Sequence, residues 1–425
     1  MRTLRIERNL NQPWLPAVLA LLGGLLLAGC GKSDATTPSA AGNSATGPAA
    51  NSSLPTASIG SQKPGVEDDG DEEPDNDDMK PTELKEGSAD WLVRECMRIR
   101  IQPTPKTDDV EELRKNRKER NEQIVQHAQQ AIQLTHNDAE RERLFSAAVH
   151  HLMEARLQLA LQGDRDSIDG LYDDAEALWK RDPESQAASE SAHTLVNMAY
   201  GFAKSSTRKD SRWLQEFARQ ATHFAQNFPK QESKSLPLLF TAARSCELHG
   251  MFPEASACYK QIVALFPQTS YAARSTAVLR RLNLPGKGVQ LSGPTLAGGQ
   301  VAVEDFAGKV VLVVFWSTEA KPFEQQISAL QAAIQKFRKQ PFAVVGISLD
   351  KDRLALEDHV ARREITWPQI FFDDEDKQSW NHPVVSYYGV MDVPMLWVID
   401  RQGKVVSVNV KADEVEATVE SLLSE

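Results

Sequence analysis

Val310 to Trp316 is an unbroken apolar run introduced by Gly308-Lys309, and it narrows the fold more than any other stretch of the chain. It is far too short for a helix crossing a bilayer, which takes about 20 residues. β-Branched and aromatic side chains dominate, and no polar residue alternates with them, so neither face is built to meet water. Such a run is suited to the central strand of an α/β sheet covered on both sides.

The neighbouring pattern extends that reading. Val301-Ala302-Val303 follows a Gly298-Gly299 turn, which predicts a short hairpin. Phe323, Ile327, Leu330, Ile334 and Phe337 recur at helical spacing, Phe342 to Leu349 reads as a second strand, and residues 352–363 as another helix. Met395 to Asp400 and Val405 to Val408 form a hairpin about Arg401-Gln402-Gly403, and Val415, Val419, Leu422 and Leu423 close the chain on a helix. Strand, helix, strand, hairpin and helix is the order of a thioredoxin fold over residues 289–425.

Ahead of the Leu284-Pro285-Gly286-Lys287-Gly288 linker, residues 83–284 carry a helical period throughout. Trp213, Leu214, Phe217, Ala218, Ala221, Phe224, Ala225 and Phe228 mark one helix, stopped by Pro229. Ala255, Tyr259, Ile262, Val263 and Phe266 mark another, stopped by Pro267. The fold class expected is therefore multidomain, an all-α region of some eight helices followed by an α/β domain.

Residues 239–267 resemble one tetratricopeptide-type helical hairpin, matching at Gly250, Phe252, Ala255, Tyr259, Ile262 and Pro267. The helix-ending prolines Pro183, Pro229 and Pro267 are unevenly spaced, unlike the regular repeat of about 34 residues. An irregular helical solenoid is the expectation, and a plain helical bundle the alternative.

The first residues read as an export signal. Arg2, Arg5 and Arg8 precede an apolar stretch from Trp14 to Leu27 that ends Leu27-Ala28-Gly29-Cys30. That ending resembles the lipobox of bacterial lipoproteins, which implies lipid attachment at Cys30 and anchorage to a bacterial membrane in the cell envelope or periplasm. An ordinary signal peptide with an incidental cysteine is the alternative. Residues 31–82 are rich in Ser, Ala, Thr, Pro, Gly and Asp and read as a disordered acidic tether. Residues 67–78 hold nine acidic residues and no basic one, and account for most of the formal net charge of -11. A like-charge block of this kind is usually a solvated segment. Nothing basic and aromatic is clustered as nucleic-acid binding requires, so nucleic acid is not an expected partner.

Four cysteines are present, Cys30, Cys96, Cys246 and Cys258, with no CxxC pair and no metal-ligand spacing. Cys246 and Cys258 are the nearest candidates for a disulfide in an exported chain; burial of all three downstream thiols as small apolar residues is the favoured alternative. His150, His151 and Glu154 share a helix, but no HExxH or third ligand accompanies them, so no metal site is expected. No cofactor is expected either.

The residues from Phe306-Ala307-Gly308-Lys309 through Phe315-Trp316-Ser317-Thr318 resemble the redoxin family, the TlpA/ResA-type and AhpC/TSA proteins. Tyr388-Gly389-Val390-Met391-Asp392-Val393-Pro394, followed by Trp397-Val398-Ile399-Asp400, is similar to that family's second signature, in which the proline is cis and faces the active site. The resemblance implies a thioredoxin fold and thiol-disulfide exchange. The chain departs from the family at the chemistry. Where the family reads Phe-Trp-Ala-Ser-Trp-Cys-Gly-Pro-Cys, this sequence has Phe315-Trp316-Ser317-Thr318-Glu319-Ala320-Lys321-Pro322-Phe323. Ala320 takes the nucleophilic position and Phe323 the resolving one, and no cysteine follows Cys258. Only a thiolate attacks a disulfide or peroxide, so no catalytic residue is expected. Val314 also stands where thioredoxins place a buried Asp.

The helix start looks maintained: Ser317 or Thr318 is expected to cap it, with Glu319 complementing its dipole. What the resemblance leaves is binding. The backbone at Val393 would pair with an extended peptide, beside an apolar groove of Trp316, Phe323, Val393 and Pro394. The leading expectation is thus a lipid-anchored module that binds exported proteins or peptides. One alternative is a thiol-disulfide oxidoreductase or peroxidase borrowing Cys96, Cys246 or Cys258; others are a purely structural envelope component and neutral decay of the site.

Overall fold

The computed structural model describes residues 84–424 apart from 205 and 207–209; the lipobox with Cys30 and the acidic tether lie outside the described residues. Among the described residues nine α-helices, one more than the eight expected, form the first part: α1 Ala89–Arg100, α2 Val110–Thr135, α3 Glu142–Leu161, α4 Arg165–Arg181, α5 Gln186–Ala203, α6 Arg212–Asn227, α7 Glu232–Leu248, α8 Phe252–Leu265 and α9 Ser270–Leu282. Their starts are set by short polar side chains. Ser88, Asp109, Asp164, Ser185 and Thr269 each accept a hydrogen bond from a backbone N–H of the first turn that has no partner within the helix. Gly250 turns the chain between α7 and α8 with φ +77°, a conformation a side chain would disfavour.

The main packing partners of each helix are its neighbours in sequence or the next but one. That is the contact pattern of a running stack, not of a bundle closed about one axis. A continuous core runs through the stack from Phe145 to Val278, with Phe217, Phe224, Leu239 and Tyr259 fully buried within it.

The second part opens with a hairpin, β1 Ser292–Pro294 and β2 Gln300–Ala302. It continues through β3 Val310–Trp316, α10 Lys321–Phe337, β4 Phe342–Ser348, α11 Arg353–Arg362, β5 Gln369–Ile370, α12 Pro383–Tyr388, β6 Met395–Ile399, β7 Val405–Ser407 and α13 Val415–Ser424. The five-stranded sheet has the order β5-β4-β3-β6-β7, parallel from β5 through β3 and antiparallel from β3 to β7. The apolar run occupies the centre, and every one of its residues is buried.

Strand periodicity divides that run between two cores. Val311, Val313 and Phe315 join Val384, Val385 and Tyr388 of α12 on one face. Val310, Leu312, Val314 and Trp316 join Phe323, Ile327, Leu330 and Phe337 of α10 and Val415 and Val419 of α13 on the other. Helices therefore cover both faces, as an all-apolar strand demands. α12 also packs against α9, so the two parts of the chain are in direct contact.

Candidate functional site

The site forms where β3 delivers the chain to α10. β3 ends at Trp316, the segment 317–320 turns, and α10 begins at Lys321 with Ala320 as its N-cap. Ala320 has no side-chain oxygen and makes no cap bond, which corrects the expectation that Ser317 or Thr318 caps this helix. Those two hydroxyls serve another group. The Asp350 carboxylate, buried just past β4, accepts from Ser317 Oγ (3.0 Å), Thr318 Oγ1 (2.6 Å) and the Thr318 backbone N–H (2.9 Å) on Oδ1. Its Oδ2 accepts from Ser348 Oγ at 2.7 Å. Three donors from the 317–318 segment converge on one oxygen of this side chain, so Asp350 fixes the turn from below. Sequence reading passed over it: a lone Asp after an apolar strand reads as the start of a loop.

Phe323 lies in the first turn of α10 with no exposed surface, its ring stacked on Trp316 at a centroid distance of 4.5 Å. Trp316 is equally buried, and its indole N–H donates to Gln369 Oε1 at 2.8 Å. Both rings belong to the core shared by α10 and the sheet. An apolar groove walled by Trp316 and Phe323 is therefore not present: helix periodicity turns position 323 inward, toward the sheet. Val393 and Pro394 are half-buried, as are Ser317, Thr318 and Ala320, while Glu319, Lys321 and Asp392 are exposed.

The Val393–Pro394 peptide bond is cis, as the resemblance implies. Phe315 pairs with Met395 across the antiparallel β3–β6 ladder. Continuing that register by one and then two residues sets Pro394 beside Trp316 and Val393 beside Ser317, so the cis-proline segment borders the 317–320 turn. Val393 lies outside the ladder, and its N–H and carbonyl take no part in the described backbone hydrogen bonds.

No described thiol lies in this domain. Cys96, Cys246 and Cys258 are free and buried in the helical stack. Burial pushes the Cys96 and Cys258 thiols up to about 11 and that of Cys246 to about 12, the last helped by Cys258 beside it. His150 and His151 line a cleft of about 580 Å³ between α3 and the start of α5. His150 pairs with Glu190 and lies 3.5 Å from Glu154. Burial first, then the charges of Arg100 and His150, lower the His151 imidazole to about 4. Among the described residues no group of three or more His, Cys, Asp and Glu is placed to hold a metal ion, and no helix is long and apolar enough to cross a membrane.

With strand order, helix start and cis proline in place, residues 308–405 match the thioredoxin-like family model. The C-terminal part of the chain is a thioredoxin-like domain with homologues of the ResA/TlpA type. The chain is 25% identical over 128 residues to the thiol-disulfide oxidoreductase ResA of Bacillus thuringiensis subsp. konkukian, covering 30% of this chain and 69% of that protein. It is 29% identical over 119 residues to the thioredoxin-like protein YneN of Bacillus subtilis, covering 27% of this chain and 65% of that one. Among solved structures it resembles the thioredoxin domain of a thiol-disulfide oxidoreductase from Bacteroides vulgatus, at 24% identity over 32% of this chain and 94% of that one, with a TM-score of 0.29.

Proposed function

We propose that this chain is an exported, membrane-anchored protein whose thioredoxin-like domain binds an extended peptide or exported protein without exchanging disulfides. The observation that carries the proposal is the pair Ala320 and Phe323 at the two sulfur positions, with the Phe323 ring sealed into the core. Disulfide exchange begins with a thiolate, and a methyl group and a buried phenyl ring supply none. The three thiols of the helical stack are poor substitutes. With pKa values of about 11 to 12, no more than about one thiol in ten thousand is ionised at pH 7. That weighs against the oxidoreductase reading which the names of the relatives would suggest.

What the scaffold retains is a strand-pairing edge. The backbone groups of Val393, which take no part in the backbone hydrogen bonds of the described residues, sit beside half-buried Pro394 and near the 317–320 turn and suit the addition of an extended segment. The proposed groove is thus narrower than the sequence suggests, with Ala320 in place of the two rings. In this reading residues 31–82 tether the protein to a lipid on Cys30, and the tetratricopeptide-like stack offers a second protein-binding surface. Fluorescence anisotropy with a labelled extended peptide from an unfolded exported protein tests the domain's part. Val393→Asp should weaken binding about ten-fold or more because a charge enters the pairing edge, measured at a temperature well below the variant's own melting point since Val393 also packs against the core. Unchanged affinity would remove Val393 from the account.

A further inference from the structure

We propose that the helical stack is a built-in clamp on the segment 387–392 that leads into cis Pro394, with Arg281 its central positioning residue. The inference stands apart from the functional reading above, since it concerns how the segment is held and not what it binds.

Arg281, on α9, has no exposed surface. A buried guanidinium needs both a counter-charge and acceptors for its donors, and these come from the two halves of the chain. From α7, Glu247 supplies the charge, with Oε1 accepting from Arg281 Nη2 at 2.7 Å. From the thioredoxin-like domain, the Tyr388 carbonyl accepts from Nε at 3.2 Å, the Gly389 carbonyl from Nη2 at 3.3 Å, and Met395 Sδ from Nη1 at 3.5 Å. Tyr388 is the last residue of α12 and Gly389 its C-cap. Carbonyls there have no partner within the helix and carry its negative dipole end, so a cation is the complementary group. Met395 lies on the far side of the cis proline. One side chain therefore grips both ends of the loop.

Neighbouring contacts make the grip extensive. Glu247 is itself nearly buried; its Oε2 accepts from the Tyr259 hydroxyl and from Arg244 Nη1, each at 2.9 Å. Burial alone would raise this carboxyl, but Arg281, Arg244 and Tyr259 together outweigh it and hold the acid ionised. Arg244 reaches on to Asp392, and Arg280 bonds the Tyr387 carbonyl and lies 3.8 Å over the Tyr387 ring. Gly389, at φ +60°, rests against the backbone of α9, where an added Cβ would come within 2.6 Å of the Val278 nitrogen. The Met391 side chain joins the helical core. Tyr387, Tyr388, Gly389, Met391 and Asp392 are thus all held from outside the thioredoxin-like domain. Removing the clamp frees the backbone that sets Val393 beside the 317–320 turn.

Hydrogen exchange of the full chain, followed by mass spectrometry, tests this with Arg281→Lys and Arg244→Ala. Lysine keeps a charge for Glu247, but one ammonium cannot span Glu247, two carbonyls and a sulfur. Arg281→Lys should raise exchange in residues 388–396 about ten-fold or more, while residues 310–316 and α5–α6 stay within about two-fold, with a smaller effect in the same residues for Arg244→Ala. The Val390 amide, bonded to Val385 O at 3.0 Å, is the sharpest reporter. Unchanged protection of 388–396 in Arg281→Lys would overturn the proposal. So would a loss spread evenly through the stack and the sheet, or global unfolding of both variants, because Arg281 would then be a general folding requirement and not a positioning residue.

Discussion

Phe323→Ala distinguishes a ring packed in the core from a ring lining a binding groove. The side chain has no exposed surface, stacks on Trp316 at 4.5 Å, and packs in the core formed by α10, α13 and the sheet. Truncating a fully buried Phe costs about 3–5 kcal/mol, because transfer free energy is lost and a cavity is left. Of that, roughly 0.5–1.5 kcal/mol is the aromatic pair itself. For a urea m-value of about 2 kcal/mol/M, the midpoint of the domain's transition should fall by about 1.5–2.5 M. The measurement is urea unfolding of the full chain, read through hydrogen exchange of peptides from α10 and β3 so that the helical stack does not mask the domain. A control, Ala320→Cys, adds one sulfur at a half-buried position and should shift the midpoint by less than about 0.5 M. A fall of less than about 0.3 M for Phe323→Ala would refute the packing argument and return Phe323 to the surface as a groove wall.

Three further perturbations follow from the same contacts. The thiol introduced by Ala320→Cys sits at the N-cap of α10 and should alkylate with iodoacetamide at pH 7 far faster than Cys96, Cys246 or Cys258, which should react with Ellman's reagent only after unfolding; equal rates would contradict the assigned burial. His382 is buried and held to about 4 by desolvation. The unfolded chain binds that proton near pH 6.5, so stability is complete above about pH 6.5 and falls by about 3 kcal/mol as pH drops to 4, a slope that His382→Leu should reduce. Gly389→Ala puts a Cβ against α9 and requires a left-handed alanine; a melt showing a loss below about 1 kcal/mol would mean the contact is looser than drawn.

The sheet was legible because its central strand is an uninterrupted apolar run and its helices keep strict spacing. The short pieces were not: β5 is two residues and α12 six, too few for a period to show. At the site, the cis bond before Pro394 was legible through the family resemblance. The direction of Phe323 was not, since it depends on the phase of α10 against the sheet. Asp350 and Arg281 stayed hidden for a related reason. Each is a charged residue that sequence assigns to water, and each is buried by partners distant in sequence: Ser317 and Thr318 for one, Glu247, Tyr388 and Gly389 for the other. The helical stack was recognised as helical, but nothing in its period announced that α9 would dock on the thioredoxin-like domain.

The proposed loss of dithiol exchange in a domain that keeps its fold is tested most directly by the reduction of insulin by dithiothreitol in the presence of the purified chain. The expected rate is that of dithiothreitol alone, both for the natural chain and for the combined Cys96→Ala, Cys246→Ala and Cys258→Ala variant. Accelerated turnover by the natural chain that disappears in the triple variant would contradict it.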